Sequence, residues 1–293
     1  MIQALWDVPA PAKLNLFLHV TGRRDDGYHL LQSVFVPIDW ADTLHFERRD
    51  DGRLQRHDLG DPLPGDDLCL RAARALQQAS GHAGGVDIAI IKRVPSGAGM
   101  GGGSSDAAST LLALNRLWGL RWPRERLQQI ALGLGADVPF FVGGRPAWVE
   151  GIGERLTPLE LPARDFVVVK PPVDVPTKAI FASPLLVRDS KPAILAGLLE
   201  DAGALNEFVG RARNDLQHAA EHQAPEVRTA ADWLAQRYGN SRMTGSGSAA
   251  FATVSSGKGS AGPSATTLGG LPPGWVGRQC RSLVQHPLVG WAG

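Results

Sequence analysis

A lysine, an aspartate and a run of glycines are the residues of this chain whose types and order best suit chemistry. Lys13 sits in Pro9-Ala10-Pro11-Ala12-Lys13-Leu14-Asn15-Leu16, an amine two positions ahead of an amide. Residues 95–108 read Pro-Ser-Gly-Ala-Gly-Met-Gly-Gly-Gly-Ser-Ser-Asp-Ala-Ala. Asp137 lies in Gly135-Ala136-Asp137-Val138-Pro139, directly ahead of Phe140 and Phe141. Thr244-Gly245-Ser246-Gly247-Ser248 makes a second small-residue loop. Taken singly, Lys13 reads as a solvated lysine, and Asp137 and the loop at 244–248 read as turn residues. The glycine run carries more information. A β-branched stretch at 86–94 predicts a strand before it, and Ala107, Ala108, Leu111, Leu112, Leu114 and Leu117 predict a helix over 104–118. A strand, a glycine loop and a helix N-terminus bring backbone N–H groups and the positive end of a helix dipole to one point. That is a cradle for phosphate, with Ser104 and Ser105 placed to cap the helix or to donate hydroxyls.

The elements that must position these groups alternate strands with isolated helices, an α+β pattern. Residues 13–21 alternate as an early strand, a charged turn follows at 23–27, and extended segments are expected at 28–38 and 42–47. Residues 50–66 suit a surface connection. Asp66 or Asp67 predicts the start of a helix running to Ser80, with Gly81 as its stop. A second helix is expected over 123–134, ended by Gly135, then strands at 147–149 and 166–169. Beyond a boundary near 160, helices are expected at 177–182, 192–200 and 225–238, strands at 242–254 and 275–284, and a weak helix or loose loop at 255–274.

Composition narrows the classes. With 30 Lys plus Arg against 29 Asp plus Glu, nothing in the charge balance suggests a nucleic-acid or membrane-surface protein. Two distant cysteines, Cys69 and Cys280, form no disulfide framework. No leader pattern opens the chain and no apolar run has membrane-spanning length, so a cytoplasmic protein is expected. The sequence sets no oligomeric state.

Several phosphate or metal motifs are tested and set aside. Gly97-x-Gly99-x-x-Gly102 matches a dinucleotide fingerprint formally, but the region about 20 residues on holds Pro123 and a second helix where a Rossmann unit needs a strand ending in an acid. No Gly-Lys-Ser/Thr completes a Walker A loop, and no His-Arg-Asp or Asp-Phe-Gly accompanies a protein-kinase loop. His218-Ala-Ala-Glu221-His222 fits an inverted zincin pattern, yet no third ligand is evident and a polar helix face is the plainer reading.

The order of the remaining motifs is specific: Pro-x-Lys-x-Asn, then Pro-x-Gly-x-Gly-Met-Gly-Gly-Gly-Ser-Ser, then Gly-Ala-Asp-Val-Pro, then Thr-Gly-Ser-Gly. This order resembles the GHMP kinase superfamily, which includes galactokinase, homoserine kinase and mevalonate kinase. Residues 12–16, 24–29, 134–141 and 150–154 are most similar to the branch that phosphorylates a cytidine-diphosphate-linked methylerythritol for isoprenoid precursors. The likeness runs from about residue 9 to 254 and fades after Ser255.

The resemblance implies a two-domain GHMP kinase fold. Residues 1–160 would form an ATP-binding, catalytic domain of the type of ribosomal protein S5 domain 2, and residues 161–293 a ferredoxin-like α+β domain on the substrate side. It implies ATP with Mg²⁺, Asp137 as general base and Lys13 as its partner. ATP would be bound by Pro95, Gly97, Gly99, Met100, Gly101, Gly102, Gly103, Ser104 and Ser105, with Ser105 a candidate metal contact. A cytidine base would lie between Tyr28 and Phe181, its edge read by His29 and the Ile152 backbone, while Asn15 and Thr177 would contact the diphosphate or the erythritol. Met100 stands where the family commonly has leucine, and Asp106 adds an acid beside the phosphate loop. The alternatives are a GHMP kinase of another small alcohol, of homoserine or mevalonate type, or an inactive nucleotide-binding regulator.

Overall fold

Two long strands organise the first half of the molecule, whose computed structural model describes residues 2–200, 203–254 and 268–292. β1 (Ala4–Arg23) and β2 (His29–Arg49) form an antiparallel ribbon around the charged turn, with register shifts in β1 between Pro11 and Lys13 and between Asn15 and Leu18. Such bulges bend a strand and re-aim its side chains. β3 (Leu54–Asp58), α1 (Leu68–Ser80) and β4 (Gly85–Ile91) make a crossover unit in which β3 and β4 run parallel. α1 starts where Asp67 accepts the Leu70 N–H at 3.0 Å and stops at Gly81, whose φ of 66° is the left-handed conformation glycine allows. α2 (Gly102–Leu117), α3 (Arg124–Leu132), α4 (Val138–Gly143), β5 (Ala147–Gly151) and β6 (Arg155–Pro158) complete this half. Its sheet has the order β3-β4-β2-β5-β6, with β1 paired to β2.

The second half contributes β7 (Asp165–Lys170), α5 (Thr177–Ala182), α6 (Leu195–Leu199), α7 (Ala204–Arg211), α8 (Gln217–Gln223), α9 (Pro225–Tyr238), β8 (Arg242–Met243), β9 (Ala250–Val254) and β10 (Val276–Arg281). Its four strands are antiparallel in the order β10-β7-β9-β8. Numbered along the chain that is 4-1-3-2, the ferredoxin-like order.

Apolar patterning explains where the layers meet. Leu44, Phe46, Ile88 and Ile90 of the first sheet pack under Leu111, Leu114 and Phe140 of the helices, and α2 is buried along almost its whole length. On the opposite face, Leu14, Phe17, Val36 and Trp148 pack against Phe166, Val168 and Phe251 of the second sheet. β1 is therefore covered on both sides, which buries even Lys13 and Asn15. After β10 the chain returns to the first half: Leu288 and Ala292 join the helical core, His286 N–H donates to Gly144 O at 2.7 Å, and Arg124 donates to Ala292 O at 2.9 Å.

Some expected elements differ. Extended segments expected at 28–38 and 42–47 are one strand, because β2 pairs successively with β1, β5 and β4 without a break. The surface connection at 50–66 contains β3, held parallel to β4. The apolar run behind Asp137 is the short helix α4, and the strand expected over 242–254 is split by the loop at 244–249 into β8 and β9. Of the weak helix or loop expected at 255–274, residues 255–267 lie outside the described residues, and 268–274 contain turns and no helix.

Candidate active site

The glycine loop crosses between the two halves as a set of close backbone approaches. Gly97, Gly99 and Gly101 hold φ values of 61°, 70° and 70°, conformations a side chain would strain. A Cβ on Gly99 would lie 2.3 Å from Thr244 O, and one on Gly245 would lie 2.5 Å from Gly99 O, so the two small-residue loops touch through bare backbone. Ser248 N–H donates to Gly97 O at 3.0 Å and Ala249 N–H to Ala98 O at 3.2 Å. The loop lines a cleft of about 280 Å³ together with Lys92, Thr177, Ser246 and Gly247. Thr177 and Ser246 share a hydroxyl hydrogen bond of 2.7 Å at its edge.

α2 begins at Gly102, and its N-cap is Gly101 with no capping side chain. Ser104 and Ser105, expected as caps, lie one turn further in, because the left-handed Gly101 already turns the backbone into the helix. Met100 is part of the cleft lining and is buried in the core between the sheets, and its carbonyl accepts the Lys13 N–H at 2.9 Å.

That bond leaves the β1–β2 ladder at the bulge and fixes Lys13 to the loop. Lys13 Nζ stands 3.6 Å from Asp137 Oδ2 and 4.6 Å from the centre of the Phe35 ring, and it donates to Asn15 Oδ1. Its side chain is 4% exposed against 31% for Asp137. Burial lowers the Lys13 pKa, and the charge of Asp137 opposes that fall. Asp137 occupies the N-cap position of α4 and is partly open to solvent, while the amine of Lys13 is shielded. The pair adjoins the phosphate loop: a Cβ on Gly101 would meet Lys13 Cε at 3.3 Å and the Phe141 ring at 3.0 Å.

Asn15 is 1% exposed, and its amide donates to Ser33 Oγ at 3.1 Å while its N–H donates to Thr244 Oγ1 at 2.9 Å. It orients Lys13 and ties β1 to the second glycine loop. Ile152 N–H donates to Glu154 at 2.6 Å, which takes up the donor expected to read a base and leaves its carbonyl. Tyr28 is 60% exposed, and the ring that stacks on Phe181 is His29, with centroids 5.0 Å apart and planes at 27°. His29 and Phe181 thus make a stacked pair beside the exposed Tyr28, so the three rings expected to hold a cytidine base come together on one side of the molecule.

A buried charge cluster underlies the loop. Lys92 reaches Asp106 at 2.5 Å and also pairs with Asp42, whose other oxygen accepts the N–H groups of Arg93 and Val94 at 2.5 and 2.8 Å. Burial pushes Asp106 up to about 8; Lys92 opposes this and Asp42 adds to it. Burial works against the Lys92 charge as well, but Asp106 and Asp42 outweigh it and raise its pKa. Sequence reading missed Asp42 and Lys92; a lone acid in a β-branched strand is a weak signal that this cluster would have explained.

The buried oxygens Ser105 Oγ and Asp106 Oδ1 have no hydrogen-bond partner among the described residues. Both are hard oxygens in the first turns of α2, the donor type that Mg²⁺ takes. Among the described residues no group of three or more His, Cys, Asp or Glu side chains could hold a metal, His218 and His222 included. Glu221 is bonded by Gln217 at 2.8 Å and by Arg228 at 3.1 Å. No described helix is long and apolar enough to cross a membrane.

A ferredoxin-like half joined to a sheet whose glycine loop faces a lysine–aspartate pair defines a small-molecule kinase of the GHMP type. The GHMP kinases N terminal domain model matches residues 67–145 and the GHMP kinases C terminal model residues 190–261. The chain is 64% identical to 4-diphosphocytidyl-2-C-methyl-D-erythritol kinase of Methylibium petroleiphilum, over 100% of this chain and 99% of that protein. It is 54% identical to the enzyme of that name in Variovorax paradoxus, over 99% and 100%. A crystal structure of 4-(cytidine 5'-diphospho)-2C-methyl-D-erythritol kinase superposes with a TM-score of 0.71 at 38% identity, covering 85% of this chain and 90% of that one. A homoserine kinase from Cytophaga hutchinsonii shares the fold at 20% identity and a TM-score of 0.65, over 88% and 87%. The chain belongs to the GHMP kinases and, within them, to the 4-diphosphocytidyl-2-C-methyl-D-erythritol kinase family.

Proposed function

We propose that this chain transfers the γ-phosphate of ATP to the 2-hydroxyl of 4-diphosphocytidyl-2-C-methyl-D-erythritol, a cytosolic step of isoprenoid precursor synthesis. The observation that carries the chemistry is the 3.6 Å Lys13–Asp137 pair set against the glycine loop. Asp137 accepts the hydroxyl proton as the oxygen attacks the γ-phosphorus and the bond to the bridging oxygen breaks. Lys13 orients Asp137 and stabilises negative charge on the attacking oxygen, and its burial strengthens both effects. The N–H groups of the loop and of the first turn of α2 receive the phosphates. Ser105 and Asp106 are the residues that would hold a Mg²⁺ brought with the nucleotide, and the ion would supply further charge neutralisation.

On this reading Phe181, His29 and the exposed Tyr28 form the nucleobase end, the Ile152 carbonyl reads the base edge, and Thr177, on the same helix as Phe181, lines the phosphate cleft. The proposed division into an ATP-binding part, 1–160, and a substrate-side part, 161–293, is architectural, since Thr177 and Ser246 line the phosphate cleft and His29 the base end. The test is ADP release from purified protein offered the CDP-linked polyol, homoserine or mevalonate. Turnover with the first is expected; turnover with homoserine or mevalonate and none with the first overturns the substrate.

A further inference from the structure

Arg188 joins the two walls of the nucleobase end with a single side chain. Its Nε donates to His29 Nε2 at 3.2 Å. Its remaining nitrogens donate to Phe181 O at 3.1 Å, Ser183 O at 2.8 Å and Leu186 O at 3.1 Å, which ties down the end of α5 that carries Phe181. A guanidinium is permanently charged and has donors only. The imidazole nitrogen facing it must therefore offer a lone pair, and the single proton of the neutral ring must sit on Nδ1.

We propose that Arg188 is a positioning residue for substrate selection: it locks His29 as the neutral Nδ1–H tautomer, parallel to Phe181, so that the wall presents a hydrogen-bond donor to an acceptor atom of a pyrimidine. This rests on the reading of the site given above. Burial, Arg188 and then Arg23 all lower the His29 pKa, in keeping with a ring held neutral. A cytosine offers acceptors at N3 and O2, whereas uracil carries a proton on N3. A fixed donor therefore distinguishes the two bases at N3, and a ring free to exchange tautomers does so less. Arg188 touches no reacting atom, so its loss should act on substrate affinity and leave the chemical step alone.

The test uses the full chain with ¹⁵N-labelled histidine, in which His29 is identified among the 8 histidines by the signal missing in His29→Gln. Wild-type protein at neutral pH should show His29 protonated on Nδ1. Arg188→Met should give a mixture with Nε2–H and raise KM for the CDP-linked polyol about 10-fold or more, with kcat and the KM for ATP within about twofold. Arg188→Lys, which keeps a charged donor, should retain more of the Nδ1–H tautomer than Arg188→Met. A wild-type His29 carrying its proton on Nε2, or an Arg188→Met protein with unchanged tautomer and unchanged KM, overturns the proposal. The tautomer is read without substrate, so failure of the substrate assignment and failure of this inference are separate results.

Discussion

Lys13 Nζ lies 3.6 Å from Asp137 Oδ2, the amine buried at 4% exposure and the carboxylate open at 31%. This asymmetry is what the proposed catalytic role of the pair requires. A buried ammonium forfeits hydration and is stabilised by its one anionic neighbour, while the open carboxylate can still reach a substrate hydroxyl.

Lys13→Met should separate catalysis from stability. Methionine keeps the length and apolar stem but removes the charge that burial disfavours, so the melting free energy should stay within about 1 kcal/mol of wild type or rise. Turnover should fall about 100-fold or more, since orientation of Asp137 and charge stabilisation go together. Thermal melts and steady-state kinetics on the same preparation check both halves. Unchanged turnover would remove Lys13 from the mechanism.

Contact between the two glycine loops predicts a contrast. Gly99→Ala places a Cβ 2.3 Å from Thr244 O at a φ of 70°, where the neighbour is backbone and cannot swing away. It should cost roughly 2 kcal/mol or more and raise the KM for ATP. Gly197→Ala, in α6 with nothing within 4 Å, should be neutral or stabilising by about 0.5–1 kcal/mol. Denaturant midpoints of the two variants measure the difference.

How much of this was legible in the sequence depended on whether the signal was local. Asp67 and Gly81 marked α1 to within a residue because caps are local chemistry, and the glycine loop announced itself through its lack of side chains. The burial of Lys13 was hidden, since the second sheet that covers β1 begins 152 residues later in the chain, at Asp165. Asp106 read as a stray acid because its partners Lys92 and Asp42 are brought to it only by β4 and β2. Tyr28 and His29 are adjacent in the chain, so the sequence could name them together, but the bond from Arg188 to His29 joins residues 159 apart and had no local signal.

The tail that returns to α3 and α4 makes stability sensitive to acid. His286 is 1% exposed, its Nδ1 accepts the Leu288 N–H at 3.0 Å, and burial followed by Arg124 lowers its pKa to about 4. With an ordinary value near 6.5 in the unfolded chain, the unfolded state binds more protons between about pH 6.5 and 4. Stability from this group therefore falls as pH falls through that window, by about 2 kcal/mol at pH 5. His286→Gln should reduce the drop in melting temperature between pH 7 and pH 5; an identical drop in the variant would assign the acid sensitivity elsewhere.

The most direct measurement is the effect of Asp137→Asn on turnover of the CDP-linked polyol and on ATP binding. The variant keeps the shape beside Lys13 and removes the proton acceptor. We expect kcat to fall about 100-fold to 10,000-fold, the range of general-base catalysis, with the ATP dissociation constant within about threefold of wild type. A variant that turns over at near the wild-type rate would contradict the assignment of Asp137 as the base.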